Sequence, residues 1–470
     1  MLTVIASLIL YHQSDIHGWL IPDFRANIQQ NFPQTLAFYR TAKNTPNTLV
    51  FDSGDLIQGC GLSDADMSHK QGYFIYEIFE QISNKTYIDA ICPGNHDLNI
   101  DSPILEFDFK NLFVLTNAAQ SVFLRSKIVN KTIIFGFSPQ FEVIDEVRIR
   151  PLAEFLETDQ YIKDRLNSQE IDQIVVLVHA GQFTDAKFFF QIYQQLRTLT
   201  DKLIVMLGGH EHLTVYNYRI KLDEVEQTLG AKINRNWGGI FTDGFDKNFV
   251  IAETENFYRY ISKIQIEFEH ERSHAGSLVA RDVQFKKIEN QKDTLEAEVG
   301  RISLDYFETS LLSQIKNKVQ ELNLSVKIGV SPRKYFCYSY DLQDGSSLSA
   351  LILQIMASKF SSSSAIRKGF FTVDIDAGPV FVNDLYSIIR FRNEVLWRFT
   401  LQEGWVELIN QNTSLLIYDT QSNQLVVDYY DGNEIKELLV SHGLIPQIEV
   451  LDTTLFTVFR KYIQENWMVE

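Results

Sequence analysis

FDSGDLIQGCGLSD, at residues 51–64, gives the clearest indication of the fold. An apolar run at residues 48–51 ends in this stretch, and two acids follow among turn-forming residues. Four more apolar runs end in the same way: 7–11 before SDIHG, 87–92 (apolar apart from Asp89) before PGNHD, 174–178 before HAG and 203–207 before GGHEH. Ligand sites of open α/β sheets lie at the carboxyl ends of the strands. We therefore expect these five polar clusters to form one site.

The pattern up to about residue 270 predicts an α/β domain, because short β-branched runs alternate there with amphipathic stretches. Residues 35–42, 73–82 and 188–196 have the apolar spacing of helices that pack on a sheet. Residues 273–298 are polar and charged, and 304–322 then have the pattern of an amphipathic helix. We predict a first domain at 1–290, a linker with a helix at 291–325 and a second domain at 326–470. The low-complexity run 361–364 is predicted to be a mobile loop.

Composition limits the partners of the chain. Its 470 residues include 43 Lys and Arg against 60 Asp and Glu, a net charge of −17 that disfavours nucleic-acid polymers and anionic membranes. A small anionic substrate stays possible, because bound divalent cations reverse the local field. The cysteines, Cys60, Cys92 and Cys337, are too few and too widely spaced for a disulfide framework, so we interpret them as free, mostly buried thiols. The sequence makes no prediction of an oligomeric state.

The first ten residues, MLTVIASLIL, are apolar but have no basic residue before the apolar run. They continue without a break into the first polar cluster, so a core strand is a better interpretation than a signal peptide. No later segment has the eighteen or so apolar residues that a membrane span needs. The sequence shows no clear signal for a compartment.

Each polar cluster alone has an ordinary explanation, as a strand-ending turn or a hydrogen-bonded core histidine. Together they supply the oxygen and nitrogen ligands for two divalent ions, and imidazole with carboxylate suits zinc, iron, manganese, nickel or cobalt better than calcium or magnesium. Two ions about 3.5 to 4 Å apart can clamp a phosphoryl oxygen and lower the pKa of water from about 15.7 to about 7. The conjunction of clusters therefore predicts a site for two divalent ions.

In this order the residues resemble those of the calcineurin-like metallophosphoesterases. The resemblance implies a four-layer αββα domain followed by a smaller α+β domain, and it assigns the metal ligands: Asp15, His17 and His212 for one ion, Asn95, His179 and His210 for the other, and Asp55 as the bridging carboxylate. Asp52 and Asp97 match residues that support the ligands. His96 matches a residue that stabilises the transferring phosphoryl group or protonates the leaving oxygen, although a purely structural histidine is an alternative.

Longer stretches narrow the resemblance to 5'-nucleotidases, and within them to the vacuolar type of fungi and protists. They are FDSGDLIQGCGLSD at 51–64, ETENFYRYISKIQI at 253–266, LNLSVKIGVSPRKY at 322–335 and DAGPVFVNDLYSIIRFRN at 376–393. The resemblance implies dephosphorylation of nucleoside monophosphates, and a vacuolar, lysosomal or extracellular location.

The chain departs from these enzymes in the residues that bind substrate. Thr372 stands at the position of the principal phosphate-binding arginine, and the helix predicted to start around 341–348 carries no arginine. Phe391 falls where an aromatic ring stacks on the base, and three arginines are candidates to replace the missing charge: Arg367, Arg390 and Arg392.

The catalytic motif departs as well, because Asn99 stands where nucleotidases have an acid three residues after the catalytic histidine. An asparagine can orient the imidazole of His96 but cannot supply a charge, unless Asp97 takes over that role. Two hypotheses follow. The first is a hydrolase of nucleoside monophosphates or similar phosphomonoesters, with phosphodiesters or pyrophosphates as variants. The second is a binding protein that keeps the fold and the metals. We favour the hydrolase, because all seven expected ligands are present.

Overall fold

The computed structural model describes residues 7–21, 31–99, 102–109, 111–119, 123–139, 147–151, 159–180, 186–210, 233–234, 239–242, 249–254, 260–268, 280–337, 339–368, 374–375, 377–389, 395–418 and 422–467. The chain divides into two compact units. Among the described residues, 7–21, 31–58 and 67–317 belong to the first unit, and 59–66 and 318–467 belong to the second. The domain boundaries drawn from the sequence stay a prediction.

The first unit contains two large sheets. The five-stranded sheet has the order β14-β13-β1-β2-β3, and the seven-stranded sheet has the order β10-β11-β12-β9-β8-β6-β5. A small sheet pairs β4 with β7. The strands are β1 (Ser7–Gln13), β2 (Thr48–Asp52), β3 (Ala90–Ile91), β4 (Ala118–Ala119), β5 (Lys127–Val129), β6 (Thr132–Phe137), β7 (Arg148–Ile149), β8 (Gln173–Val178), β9 (Leu203–Gly208), β10 (Ile233–Asn234), β11 (Gly239–Thr242), β12 (Phe249–Glu253), β13 (Tyr260–Phe268) and β14 (Ala280–Glu289).

Within each sheet, the strands that precede the polar clusters run parallel to one another, so their carboxyl ends share an edge. β1 pairs with β2 and β2 with β3 in one sheet, and β6, β8, β9 and β12 pair in parallel in the other. Every residue of β6, β8 and β9 is buried, as expected of parallel strands that are covered on both faces.

Helices cover one face of each sheet. They are α1 (Phe32–Ala42), α2 (Tyr73–Ser83), α3 (Gln160–Leu166), α4 (Ala186–Leu199), α5 (Lys292–Val299) and α6 (Tyr306–Glu321), whose last residues belong to the second unit. In α1, the ring of Phe38 packs edge-on against the ring of Tyr11 in β1, with 5.1 Å between the ring centroids. Ile162 of α3 and Ile192 of α4 belong to the hydrophobic core of the seven-stranded sheet. The Ser53 hydroxyl donates to the Leu207 carbonyl at 2.9 Å and so joins the two sheets. The first unit has the predicted four-layer αββα architecture.

The second unit is built on a sheet with the order β19-β16-β20-β18-β21, and β15 pairs with β17 beside it. Its strands are β15 (Lys327–Ser331), β16 (Ser363–Arg367), β17 (Gly378–Phe381), β18 (Val395–Thr400), β19 (Leu415–Tyr418), β20 (Gln424–Val427) and β21 (Gln447–Thr454). Its longer helices are α7 (Leu348–Phe360), α8 (Val382–Ile388), α9 (Trp405–Asn412), α10 (Tyr429–Ser441) and α11 (Leu455–Asn466), and Gly61–Asp64 form one helical turn. The helix predicted to start around 341–348 is α7.

The serine run 361–364 is not the loop that its composition predicts. Ser361 ends α7 with a left-handed backbone, and the next three serines are fully buried. Ser363 begins β16, which lies between two other strands, and the Ser364 hydroxyl donates to the Leu353 carbonyl at 2.8 Å. The prediction was wrong because a serine is small enough to be buried between strands, and the buried hydroxyl of Ser364 has a hydrogen-bond partner.

Other sequence predictions are confirmed. Cys60, Cys92 and Cys337 are free and buried, and the stretches predicted as helices at 73–82 and 304–322 correspond to α2 and α6. Over the part of the chain that the structure describes, no helix has both the length and the apolar character of a membrane span.

Candidate metal centre

The predicted ligands that the structure describes lie in the loops after five strands, at one edge of the two sheets. Asp15 and His17 follow β1, Asp55 follows β2, Asn95 follows β3, His179 follows β8 and His210 follows β9. His212 lies outside the described residues. Parallel strands in adjacent sheets bring these loops together, as the spacing of the five clusters predicted.

Asp55 is at the centre of the cluster. Its carboxylate is 1% exposed, and its Oδ2 lies 3.2 Å from Nε2 of His179, 3.9 Å from Nε2 of His17 and 3.9 Å from Nε2 of His96. Two groups of ligand atoms, each within 4.8 Å of one another, share this carboxylate: Asp55 with His17 and His96, and Asp55 with His179 and His210. One carboxylate that belongs to two such groups is the geometry a bridging ligand needs.

The histidines are oriented by hydrogen bonds on the side of the ring that faces away from Asp55. Nδ1 of His179 lies 2.6 Å from the carbonyl oxygen of Ser53, and Nδ1 of His17 lies 2.7 Å from the carbonyl oxygen of Gln58. A carbonyl oxygen only accepts, so both rings carry their hydrogen on Nδ1 and present Nε2 to the centre. Histidines that bind metals are held in this way.

Asn95, His210 and Asp15 complete the described part of the cluster. The side-chain oxygen of Asn95 lies 2.9 Å from Nδ1 of His210 and 3.2 Å from Nε2 of His179. The backbone N–H of His210 donates to both carboxylate oxygens of Asp15, at 3.0 and 3.1 Å. The loops after β1, β3, β8 and β9 are thus joined by side chains that the sequence predicted as ligands.

The backbone of the site is held in left-handed conformations that non-glycine residues seldom adopt. Asp15, His17, Asp55, Gln58 and His210 have φ values of 55°, 47°, 57°, 67° and 87°. Each such residue costs on the order of 1–3 kcal/mol, and such residues cluster where function constrains the chain. The loops therefore give up stability in order to place these side chains.

A glycine is required where two of these loops approach each other. A Cβ on Gly94 would overlap the Asp55 carboxylate and lie 2.7 Å from Cε1 of His179. Any side chain at this position would push the central carboxylate away from the imidazoles.

The carboxylate of Asp97 supports the loops, and among the described residues its hydrogen bonds do not include one to His96. A catalytic role for Asp97 stays a prediction. One of its carboxylate oxygens accepts from the N–H groups of Asp55 and Gly94 at 2.8 and 2.9 Å, and the other accepts from Leu56 N–H at 3.0 Å and the Tyr76 hydroxyl at 2.8 Å. Burial raises the pKa of Asp97 to about 7, with a further contribution from the Asp55 charge. The bonds from Asp55 and Leu56 hold the loop after β2 against the loop after β3, and the bond from Tyr76 joins the latter loop to α2.

Asp52 has the corresponding role at the end of β2. Its carboxylate accepts from the Gln13 side-chain amide at 2.7 Å and from Gly54 N–H at 2.8 Å. Burial raises the pKa of Asp52 to about 8 in spite of these two hydrogen bonds. Asp52 therefore joins β1 to the turn that carries Asp55.

The central charges depend strongly on one another. Burial acts to raise the pKa of Asp55, but the charges of His179, His96 and His17 outweigh it and hold that pKa well below its usual range. Burial acts to lower the pKa of His179, but the carboxylates of Asp55 and Asp15 raise it to about 10. A buried anion surrounded by imidazoles is an environment in which cations are stabilised.

The donor set fits the ions that the sequence predicted. Carboxylate oxygens, an amide oxygen and imidazole nitrogens converge within a few ångströms. The two groups of possible ligands among the described residues contain no cysteine, so soft thiolate ligation is not part of this donor set. The residues therefore fit borderline divalent cations.

His96 lies at the rim of the cluster with 15% of its side chain exposed. Its Nδ1 is hydrogen bonded to the side-chain oxygen of Gln58. Asn99 is the residue predicted to orient this ring. Among the described residues it has backbone hydrogen bonds only: its N–H donates to His96 O at 3.4 Å and its carbonyl accepts from Ser102 N–H. A catalytic role for Asn99 stays a prediction.

Sequence analysis missed three residues that hold the site: Ser53, Gln58 and Tyr76. Ser53 and Gln58 lie in the stretch 51–64, where the sequence pattern is that of ordinary turn residues. Tyr76 lies on the buried face of α2, where its spacing is that of a core aromatic. Only the position of their partners in space identifies them.

The substrate-binding residues predicted in the second unit are only partly described. Thr372, Arg390, Phe391 and Arg392 lie outside the described residues. Arg367 is described, and its guanidinium forms ion pairs with Asp431, at 3.1 Å, and with Glu434. Its part in substrate binding stays a prediction, and both acids would compete with a phosphate.

Comparison with known proteins agrees with this picture of the first unit. Residues 9–214 match the family model of the calcineurin-like phosphoesterases, whose members use divalent metal ions. No curated protein matches the chain in sequence.

Solved structures resemble the chain over nearly its whole length. A 5'-nucleotidase from Candida albicans is 15% identical with a TM-score of 0.77, and the match covers 98% of each chain. A 5'-nucleotidase precursor from Thermus thermophilus is 16% identical with a TM-score of 0.68, over 99% of this chain and 97% of the other. The sulfate thiohydrolase SoxB from Thermus thermophilus is 12% identical with a TM-score of 0.59, over 98% and 95%. At these identities the likeness shows the fold, including the presence of two domains.

Proposed function

We propose that this chain, a phosphoesterase hydrolase whose residues 9–214 form a calcineurin-like phosphoesterase domain, binds two divalent ions and hydrolyses phosphomonoesters. The observation that carries the proposal is the convergence of three imidazoles, those of His17, His96 and His179, on the buried carboxylate of Asp55. A buried anion that two groups of ligand atoms share is the feature that a two-ion site requires and that a structural ion pair does not.

The proposed ligands of one ion are Asp15, His17 and His212, those of the other are Asn95, His179 and His210, and Asp55 is shared. When bound, the ions supply Lewis-acid stabilisation of the phosphoryl oxygens and lower the pKa of water to about 7. Asp55 fixes the distance between the two ligand groups, and the outward hydrogen bonds of the imidazoles keep their Nε2 atoms directed at it. The chain thus supplies a set of ligands that hydrogen bonds have already oriented.

His96 is the proposed catalytic residue. Its ring lies next to the ligand cluster, is partly exposed, and has Nε2 on the side of Asp55. From that position the ring can donate a hydrogen bond to a phosphoryl oxygen or a proton to the leaving oxygen. The same ring belongs to one of the two groups of possible ligands, so metal content after substitution separates the two roles.

Nucleoside monophosphates are the proposed substrates, and residues 326–470 are the proposed specificity domain. Support comes from the sequence resemblance and from the two similar structures that are 5'-nucleotidases. Phe391 is proposed to stack on the base. Arg390 and Arg392 are proposed to bind phosphate in preference to Arg367, because Arg367 already has two acidic partners.

Phosphate release from AMP, a dinucleotide and bis-p-nitrophenyl phosphate tests this proposal. Protein loaded with zinc or manganese is compared with Asp55→Asn and with the control Asp172→Asn, whose carboxylate lies before β8 at the opposite end of that strand from His179. We expect turnover of AMP that Asp55→Asn abolishes and Asp172→Asn keeps. Turnover of the diester alone would retain the hydrolase and contradict the nucleotide substrate. No turnover with ions bound would contradict the proposed function.

A further inference from the structure

Gln58 has two contacts with the histidines of the site. Its backbone carbonyl lies 2.7 Å from Nδ1 of His17, and its side-chain oxygen is hydrogen bonded to Nδ1 of His96. The residue is 4% exposed and has a φ of 67°. A single residue in a left-handed conformation therefore holds one proposed metal ligand through its backbone and the proposed catalytic ring through its side chain.

We propose that Gln58 is the positioning residue of His96, in the place of the acid that the sequence resemblance expects at Asn99. This inference rests on the proposed function, in which His96 acts on the phosphate or on the leaving oxygen. An amide oxygen accepts hydrogen bonds and cannot donate them, so the hydrogen of the His96 ring lies on Nδ1. The bond fixes both the rotation of the ring and the nitrogen, Nε2, that faces Asp55.

Two other residues could have held this ring, and neither does so. Asn99 makes backbone hydrogen bonds with His96 and Ser102, and over the described chain its side chain has no hydrogen bond to the imidazole. The carboxylate of Asp97 accepts four hydrogen bonds, from the N–H groups of Asp55, Leu56 and Gly94 and from the Tyr76 hydroxyl.

The side chain of Gln58 is well suited to orient a ring. It is buried, so its amide does not exchange partners freely with water, and the left-handed backbone gives it one direction of approach to His96. A carboxylate in the same position would orient the ring equally well and add a charge. Orientation is therefore the contribution that substitutions at this position can isolate.

Steady-state kinetics of the zinc-loaded protein test the proposal with three variants. Gln58→Leu removes the acceptor. Gln58→Asn keeps an amide, and asparagine tolerates a positive φ, but its side chain is one methylene too short to reach the ring of His96. Gln58→Glu keeps an acceptor at the same reach. Gln173→Leu is the matched control, because Gln173 is also buried with one side-chain bond, to Thr132, and lies about 17 Å from the site at the far end of β8.

If Gln58 positions His96, we expect Gln58→Leu and Gln58→Asn to lower kcat about 10- to 100-fold, because an acid–base group would lose part of its effect. KM should stay within about threefold, and the zinc content should not change. Gln58→Glu is expected to keep kcat within about threefold of the unsubstituted protein, and Gln173→Leu within about twofold. Equal loss in Gln58→Glu and Gln58→Leu, loss of zinc, or kcat within about twofold in Gln58→Asn would each overturn the proposal.

A spectroscopic measurement keeps the inference separate from the proposed function. Long-range ¹H–¹⁵N spectra of the zinc-loaded protein, with the His96 signals assigned from His96→Gln, report which ring nitrogen carries the hydrogen. We expect Nδ1–H in the unsubstituted protein and in Gln58→Glu, and a mixture of both tautomers in Gln58→Asn. If no substrate is turned over but these spectra are obtained, the proposed function fails and the positioning contact stands. An unchanged single tautomer in Gln58→Asn would overturn the inference.

Discussion

Arg40 neutralises a buried acid, and its replacement by methionine is expected to destabilise the first unit by about 3 kcal/mol. The Glu308 side chain is 0% exposed, and the guanidinium of Arg40 donates to its two oxygens at 2.8 and 2.9 Å. Removing one partner of a buried pair costs about 3–5 kcal/mol. The Arg40 side chain is 41% exposed, so water screens part of the interaction and the lower end of that range applies. Methionine keeps the packing of the aliphatic stem.

Urea unfolding at neutral pH measures this effect in a double-mutant cycle of Arg40→Met and Glu308→Gln. We expect a coupling energy of about 2 kcal/mol or more. Lys131→Met is the control, because its partner Asp172 lies 3.4 Å away and the lysine side chain is 61% exposed, so its loss should cost less than about 1 kcal/mol. A coupling energy between Arg40 and Glu308 below about 0.5 kcal/mol would refute the reasoning from burial.

Two further predictions concern the metal site and the dependence of stability on pH. Gly94→Ala is expected to lower both bound metal and turnover at least about tenfold, because its Cβ would overlap the Asp55 carboxylate. The control is Gly300→Ala, in which the backbone is strained by a φ of 85° but the Cβ meets nothing within 4 Å, and it should keep both. Metal analysis and a phosphate-release assay measure the two effects. Burial acts to raise the pKa of Glu298, but two lysine ammonium groups outweigh it and lower that pKa below 4.5. The charged form is thus favoured in the folded state, so this stability is present above about pH 4.5 and is lost as the pH falls through the folded-state pKa. Urea midpoints should show a deficit for Glu298→Gln at pH 7 that shrinks towards pH 4, and an equal deficit at both would contradict the sign.

The position of the site could be predicted from the sequence, because it depends on patterns of residues that are close together in the chain. An apolar run followed by Asp, His or Asn marks a strand end in any sheet, and parallel strands place such ends together. The length of each strand could not be predicted as well. The run at 87–92 becomes only β3, Ala90–Ile91, because the carboxylate of Asp89 accepts from Val50 N–H at 2.8 Å and the ammonium of Lys43 pairs with it. These contacts are long-range and leave no mark in the local pattern.

The orientation of side chains was beyond the sequence for a related reason. Nothing in the pattern distinguishes Gln58 from a turn residue, since its partner His96 is 38 positions away. Arg367 reads as a free cation until Asp431 and Glu434, more than sixty positions later, are placed beside it. The serines at 361–364 read as a loop until the neighbouring strands bury them. Composition predicts which residues are available, and tertiary structure decides what they contact.

Metal content per chain is the most direct test of the central claim, that the loops after five strands form one two-ion centre around Asp55. Protein loaded with excess zinc and then desalted is analysed by mass spectrometry, together with His17→Ala and His179→Ala, which remove one ligand from each proposed ion, and with Asp55→Asn. We expect two ions in the unsubstituted chain, a loss of about one ion in each histidine variant, and the largest loss in Asp55→Asn. One ion or none in the unsubstituted chain, or unchanged content in Asp55→Asn, would contradict it.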